Sequence, residues 1–305
     1  MKKSVLYILL FAFIISSESS IAQYRKISSN NLDIYFRIIG DGQPILIIGG
    51  GPGDNSNRYL SLCELISQEF QCILVDQRGT GKSIPDTYDS TTISISLTLE
   101  DFEAIRKNLK IKEWAVLGFS YGGFLASLYA NYYPSSVSHL ILLESMGLNT
   151  DVFGYFLDNI NSKLADSDFE LFEYWNDSVR VAENPHHALV ERIRTRIPGY
   201  FYNREKSLII SEAMKDSDFN FEVGQWIWGD IEKNNLDLTK MESKFNNPVL
   251  IIHGRQDPLG ESIPQSLVRY YKNSKLVFIE KAGHYSWIEQ PDEIYRLIKI
   301  FFATK

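Results

Sequence analysis

Short apolar runs of strand length, each closed by glycine or a polar turn and followed by helical spacing, most limit what this chain can fold into. Residues 44–48 are continuously apolar and end in Gly49-Gly50-Gly51-Pro52-Gly53. Residues 72–75, 114–119, 137–143, 249–252 and 275–279 repeat the pattern. A strand that is apolar on both sides must be covered on both sides, the condition of a parallel sheet between two helix layers. Residues 59–70, 97–109, 121–133 and 291–302 supply helical periodicity; in the second, Leu97, Leu99, Phe102, Ile105 and Leu109 are apolar. The alternation predicts an α/β fold, doubly wound, with a mostly parallel central sheet and flanking helices. Ahead of it, 24–28 and 32–39 read as strands, with a turn at Gly40-Asp41-Gly42.

Between about residues 147 and 241 the parallel-strand signal stops, and helical stretches rich in aromatics and carboxylates replace it. A helical insertion accounts for this most simply: a core domain of 23–146 plus 242–305, interrupted by a helical cap at 147–241. The N-terminus reads as a signal peptide, 1–22. Met1-Lys2-Lys3 is basic, Val5 to Ile15 is an unbroken run of eleven apolar residues, and Ser20-Ile21-Ala22 offers the small residues of a cleavage site. Eleven residues fall short of the about 20 needed to span a bilayer, so the expectation is an exported protein, periplasmic or secreted, with no stable membrane anchor after cleavage. In such a compartment Cys63 and Cys72 are free either to pair or to stay as buried thiols. The net charge of −7, without a lysine or arginine cluster, argues against nucleic acid as a partner.

Gly118-Phe119-Ser120-Tyr121-Gly122 follows the pattern G-x-S-x-G, in which a serine sits on a strained strand-to-helix turn. The context matches, since an apolar strand ends at Ser120 and a helix begins just beyond. Serine needs a base, and the base an orienting acid, in the chain order Ser, Asp or Glu, His. Asp257 follows the strand at 249–252 and His284 the strand at 275–279, which puts both on the sheet edge that carries Ser120. Glu261 is a nearby substitute for the acid. His253 abuts its strand, His186 and His187 fall in the insertion, and His139 starts a strand, so none is as well placed as His284. Acyl transfer also needs N–H donors where negative charge develops; Tyr121, next after the serine, and Gly51, in the glycine-rich loop, are the candidates. No metal or organic cofactor is required by this chemistry. Gly81-Lys82-Ser83 ends like a phosphate-binding loop, but Asp76 stands where that motif needs its first glycine.

Taken together, Gly49 to Gly53, Asp76-Gln77-Arg78-Gly79-Thr80-Gly81 and Gly118 to Gly123 resemble the prolyl aminopeptidase (proline iminopeptidase) family of α/β-hydrolases, whose members show H-G-G-P-G, D-Q-R-G-x-G-x-S and G-x-S-x-G-G in that order. The resemblance extends to Asp257 and Ala282-Gly283-His284. It implies a serine hydrolase with a Ser120–Asp257–His284 triad, a cap over the site, and release of an N-terminal residue from a small peptide or amide. Two departures stand out. Gly49 replaces the family's histidine. In the segment nearest the cap motif W-x-x-W-E, Gln225-Trp226-Ile227-Trp228-Gly229-Asp230, glycine takes the place of the glutamate that holds the substrate's ammonium group. Trp226, Trp228, Asp230 and Glu222 are therefore the expected substrate-binding residues, with Glu170 and Glu173 as further carboxylates. The rival activity is a carboxylesterase acting on small esters with the same triad; a non-catalytic binder and a non-hydrolytic member of the fold are the remaining alternatives.

Overall fold

The structure, a computed structural model, describes residues 23–303; the expected signal peptide, residues 1–22, lies outside them. β1 (Tyr24–Ser29) and β2 (Leu32–Ile39) form an antiparallel hairpin before β3 (Gln43–Ile48). A 3-10 turn, Ser56–Tyr59, leads into α1 (Leu60–Ile66), and β4 (Phe70–Val75) follows. α2 (Ile95–Asn108), capped by the Ser94 side chain on the Leu97 N–H, precedes β5 (Trp114–Phe119), α3 (Tyr121–Tyr132) and β6 (Val137–Leu143). Six helices come next: α4 (Phe156–Asn161), α5 (Asp166–Asn176), α6 (Ser178–Glu183), α7 (Pro185–Arg196), α8 (Ser207–Ala213) and α9 (Phe221–Lys233). β7 (Val249–Gly254), α10 (Ser262–Tyr270), β8 (Ser274–Ile279), α11 (Ser286–Glu289) and α12 (Pro291–Ala303) complete the described residues.

The eight strands make one sheet in the order β1-β2-β4-β3-β5-β6-β7-β8. β2 runs antiparallel to β1 and β4, and all other pairs are parallel. The alternation of side chains feeds two cores: Leu46, Ile48, Val116, Leu140 and Leu142 enter one layer, Ile45, Ile47, Leu117, Ile141 and Leu143 the other. This is why the central strands read as unbroken apolar runs. From β3 the chain steps outward to β4 and then back across to β5, so the order reverses between β3 and β5. Loops leaving the carboxyl ends of these two strands diverge and open a crevice between them.

The apolar runs land where they were expected, β5 and β6 residue for residue. The helix expected over 59–70 is shorter. Its first turn is 3-10, it ends at Ile66, and Phe70 already belongs to β4. Cys63 and Cys72 are two free, fully buried thiols in the core between α1 and β4. The Asp76–Gly81 segment is a structural clamp. Asp76 Oδ2 accepts the Lys82 N–H at 2.8 Å and Oδ1 takes the Ser56 hydroxyl, itself bonded by Arg37 Nη2 at 2.6 Å. Arg78 grips Asp101 of α2 through two bonds, 2.8 and 2.7 Å, and donates a third to the Thr92 carbonyl at 2.7 Å.

Removing one partner of a buried pair leaves the other uncompensated. Asp101→Ala is therefore expected to cost about 3–5 kcal/mol of stability in urea unfolding, whereas the joint replacement Arg78→Met with Asp101→Leu should recover most of it. Equal losses in the single and joint variants would show that the pair contributes only packing.

Candidate active site

Ser120 closes β5 and caps α3 with φ 55° and ψ −122°, a conformation that costs a non-glycine residue on the order of 1–3 kcal/mol. The surroundings over-determine it. The Ser120 N–H donates to the Leu143 carbonyl at 3.1 Å, and its own carbonyl accepts from Gly123 and Met146 at 2.9 and 3.0 Å. Close approach explains the flanking glycines. A Cβ on Gly118 would stand 2.2 Å from the Gly122 carbonyl oxygen, and one on Gly122 would meet the carbonyls of Ile48 and Gly49 at 2.3 and 2.4 Å. The G-x-S-x-G signature is thus a packing requirement between α3, β5 and the end of β3.

Asp257 and His284 arrive on the loops after β7 and β8. His284 Nδ1 lies 2.9 Å from Asp257 Oδ2, with both side chains nearly or fully buried. Asp257 Oδ1 accepts the Leu259 N–H at 2.8 Å. Burial alone would raise the Asp257 carboxyl, but the nearby charges of His284 and His253 and the hydrogen bonds from His284 and Leu259 outweigh it and hold the group below the ordinary carboxylate range. Asp257 therefore stays ionised and fixes the imidazole with its Nε2 free for another partner. The His284 N–H donates to the Tyr200 carbonyl at 2.7 Å, which ties the histidine loop to the segment before α8.

Ser120 and His284 line one cavity of about 280 Å³. Its floor is the glycine-rich loop and the start of α3; its walls are aromatic, among them Phe119, Phe153, Phe156, Tyr200, Phe219 and Trp228. Gly51 and Tyr121 line it too. Gly51 has φ +69°, and among the described residues nothing accepts its N–H. Tyr121 is the first residue of α3, so its N–H has no carbonyl one turn back. The constellation offers a nucleophile, a base oriented by a buried carboxylate and two unclaimed N–H groups, which is what acyl transfer needs.

Among the described residues, no other histidine lines the cavity. His139 is wedged against Phe301 and Phe302, His187 bonds Asp216, and His253 is buried with Nε2 3.9 Å from Asp257 Oδ2, its proton affinity lowered by burial. Glu261 pairs with Arg255 at 2.9 Å on the surface.

The expected substrate carboxylates do not reach the cavity. Asp230 Oδ2 accepts the Ile95 N–H at 2.9 Å, capping α2 from across the interface, and its Oδ1 takes the Asn234 amide at 2.8 Å. Glu222 lines a neighbouring groove, and Glu170 and Glu173 are exposed. Of the two tryptophans, Trp228 lines the cavity, edge-on to Tyr121 and Phe153, while Trp226 turns outward. On a helix, residues two apart face different sides, so one residue of a W-x-W pair had to leave the site.

Three acidic residues were missed. Glu289 takes N–H bonds from Gly283 at 2.6 Å, Tyr202 at 3.2 Å and Asn203 at 2.7 Å, stapling the His284 loop to the helical segment. Glu144, at the end of β6, is fully buried, and burial and then repulsion from Asp257 push its carboxyl well above its ordinary value. Asp54 lines the cavity itself. Its signal was its place, directly after Gly49 to Gly53.

A family model described as "alpha/beta hydrolase fold" matches residues 43–291. The chain belongs to the α/β-hydrolase fold family. Among curated relatives of this hydrolase, the proline iminopeptidase of Lactobacillus helveticus (strain DPC 4571) is 27% identical over 88% of this chain and 93% of its own. That of Saccharolobus solfataricus is 24% identical over 91% of each. An alpha/beta fold family hydrolase from Bacillus anthracis str. Sterne superposes with a TM-score of 0.71 at 20% identity, covering 92% of this chain and 99% of that one. A thermophilic esterase from Thermogutta terrifontis gives 0.69 at 21%, covering 92% and 98%.

The loop after β3 approaches the elbow closely. A Cβ on Gly50 would stand 2.8 Å from Ser120 Cβ. Gly50→Ala should displace the serine and lower kcat/KM for an activated ester by about 10²-fold. Near-normal turnover would show that the elbow has slack this packing does not suggest.

Proposed function

We propose that the protein is an exported serine hydrolase working as an aminopeptidase, which releases an N-terminal residue from small peptides or amides through an acyl-enzyme. The observation that carries this reading is the shared cavity: the strained Ser120 opens into the enclosure lined by His284, whose Nδ1 is bonded to Asp257. The relatives called proline iminopeptidases support the substrate class. Export is inferred from the leader-like residues 1–22, and residues 147–241 act as the cap that closes the aromatic pocket.

In the first step His284 Nε2 takes the Ser120 hydroxyl proton while Oγ bonds to the substrate carbonyl carbon. The carbonyl oxygen becomes an oxyanion held by the Gly51 and Tyr121 N–H groups. His284 then gives its proton to the leaving amine as the C–N bond breaks, leaving an acyl-serine. Water enters, loses a proton to His284 and attacks the acyl carbon; the proton returns to Ser120 as the acid leaves. Asp257 stabilises the imidazolium formed in each step.

A carboxylesterase is the second reading. It is favoured by one observation: the cap carboxylates expected to hold an ammonium group lie outside a largely aromatic cavity. Hydrolysis of L-alanine and L-proline 4-nitroanilides, N-acetyl-L-alanine 4-nitroanilide and 4-nitrophenyl acetate by the purified protein separates the two. Cleavage that requires the free amine is expected; indifference to acetylation, with esters preferred, overturns the aminopeptidase reading. Ser120→Ala should lose about 10⁴- to 10⁶-fold in kcat and Asp257→Asn about 10⁴-fold. A Ser120→Ala protein with normal turnover would remove the serine from the chemistry.

A further inference from the structure

In a substrate that surrenders its N-terminal residue, the ammonium group has little freedom of position. It shares an α-carbon with the scissile carbonyl, and two bonds place its nitrogen about 2.5 Å from the carbonyl carbon. If that carbon sits on Ser120 and its oxygen points at Gly51 and Tyr121, the counter-charge must stand within a few ångströms of the serine, and the glycine loop beside it is one such place.

Asp54 occupies that place. Its carboxyl carbon and Oδ1 both lie 2.6 Å from the point where a Cβ on Gly51 would be, so the group covers the α-carbon of that glycine. Among the described residues that line the cavity it is the sole carboxylate. The Tyr59 hydroxyl, at 2.8 Å, and Arg58 Nε, at 3.1 Å, both approach Oδ2, and no hydrogen bond from a described residue reaches Oδ1.

The position is built. Asp54 bridges to Phe219, the Asn55 N–H donates to the Asp218 carbonyl at 2.8 Å, and the Asn220 N–H donates to the Gly53 carbonyl at 2.8 Å. The loop is thereby stitched to the segment before α9. Arg58 lies over the Phe219 ring at 4.5 Å and orients the carboxylate. The charge balance leaves room for a cation. Asp54 and the buried Asp218 face the single guanidinium of Arg58, which feels both of them. A carboxylate beside a developing oxyanion opposes catalysis unless a second positive charge arrives with the substrate.

We propose that Asp54, on the loop after β3, receives the substrate's α-ammonium group, in place of a glutamate from the cap. This rests on the aminopeptidase reading and makes the specificity of the site a property of the core loop that also holds Gly51. An acetylated amine or an ester of an uncharged acid leaves Asp54 without its partner and forfeits that interaction.

The test compares L-alanine 4-nitroanilide with 4-nitrophenyl acetate in the wild type and in Asp54→Asn, with thermal unfolding as the check that the variant is folded. The expected result is a fall of about 10²-fold in the ratio of kcat/KM for the free-amine anilide to that for the ester. If both substrates lose equally, Asp54 only shapes the Gly51 loop and the proposal fails. If the wild type requires a free amine and the variant keeps the ratio, the proposal fails while the aminopeptidase reading stands. If the wild type ignores acetylation of the anilide, the aminopeptidase reading fails and the proposal with it.

A pH series on the wild type gives a second readout. Burial pushes the Asp54 carboxyl up to about 6 against the pull of Arg58 and Tyr59. The charged and titratable groups facing it are Arg58 and the neutral phenol of Tyr59 on its own segment, Asp218 before α9, and the neutral phenols of Tyr200 and Tyr285. A raised carboxyl is charged above its titration point and neutral below it, so the anilide-to-ester ratio should fall as the pH drops through about 6. Taking the ratio removes the titration of His284, which both substrates share. A fall that persists unchanged in Asp54→Asn overturns the assignment.

Discussion

The carbonyls of Ile48 and Gly49 press against the α-carbon of Gly122, and this contact governs the site. It seats the first turn of α3 on the end of β3 and leaves no volume there for any side chain. The turn from β5 into α3 then has one residue in which to reverse, and Ser120 takes the positive φ that this demands. The same contact fixes the glycine loop beside the serine, so Gly50, Gly51 and Asp54 inherit their positions from it. Because the sheet order reverses between β3 and β5, the two loops part at this point and leave a crevice rather than covering one another.

The polar groups around this contact are sorted by what can share their charge. Asp257 is held ionised by His284, by His253 and by the Leu259 N–H. Burial and then repulsion from Asp257 push the carboxyl of Glu144, at the neighbouring strand end, well above its ordinary value. The two carboxyls are thus pushed in opposite directions, Asp257 towards its charged form and Glu144 towards its neutral one. Glu289 acts differently. It satisfies three backbone N–H groups from two segments and turns the histidine loop and the helical insertion into one wall of the cavity.

The helical segment contributes surface rather than chemistry to this arrangement. Phe153, Phe156, Ile193, Ile197, Phe219 and Trp228 enclose the cavity, whereas the charged side chains of α5 and α9 face other helices or solvent. Asp230 is the instructive case: spent on the N-terminus of α2, it holds the insertion to the core instead of meeting a substrate.

What the sequence determined by itself was everything that depends on local spacing. Strand-length apolar runs such as those of β5 and β6 need cover on both faces, so the parallel sheet was legible. So was the common edge on which Ser120, Asp257 and His284 lie, because each stands at or on the loop past a strand's carboxyl end and such ends in a parallel sheet share an edge. The helix at 60–66 was misjudged by a turn because helix ends carry weak local signals. What only the tertiary structure decided was which side chains meet across segments distant in the chain. Trp226 and Trp228, or Asp230 and Asp54, look alike as residue types. Their fates were settled by the rotation of α9 and by which backbone N–H groups lacked a partner nearby, and a carboxylate is drawn to whichever buried donor would otherwise go unsatisfied.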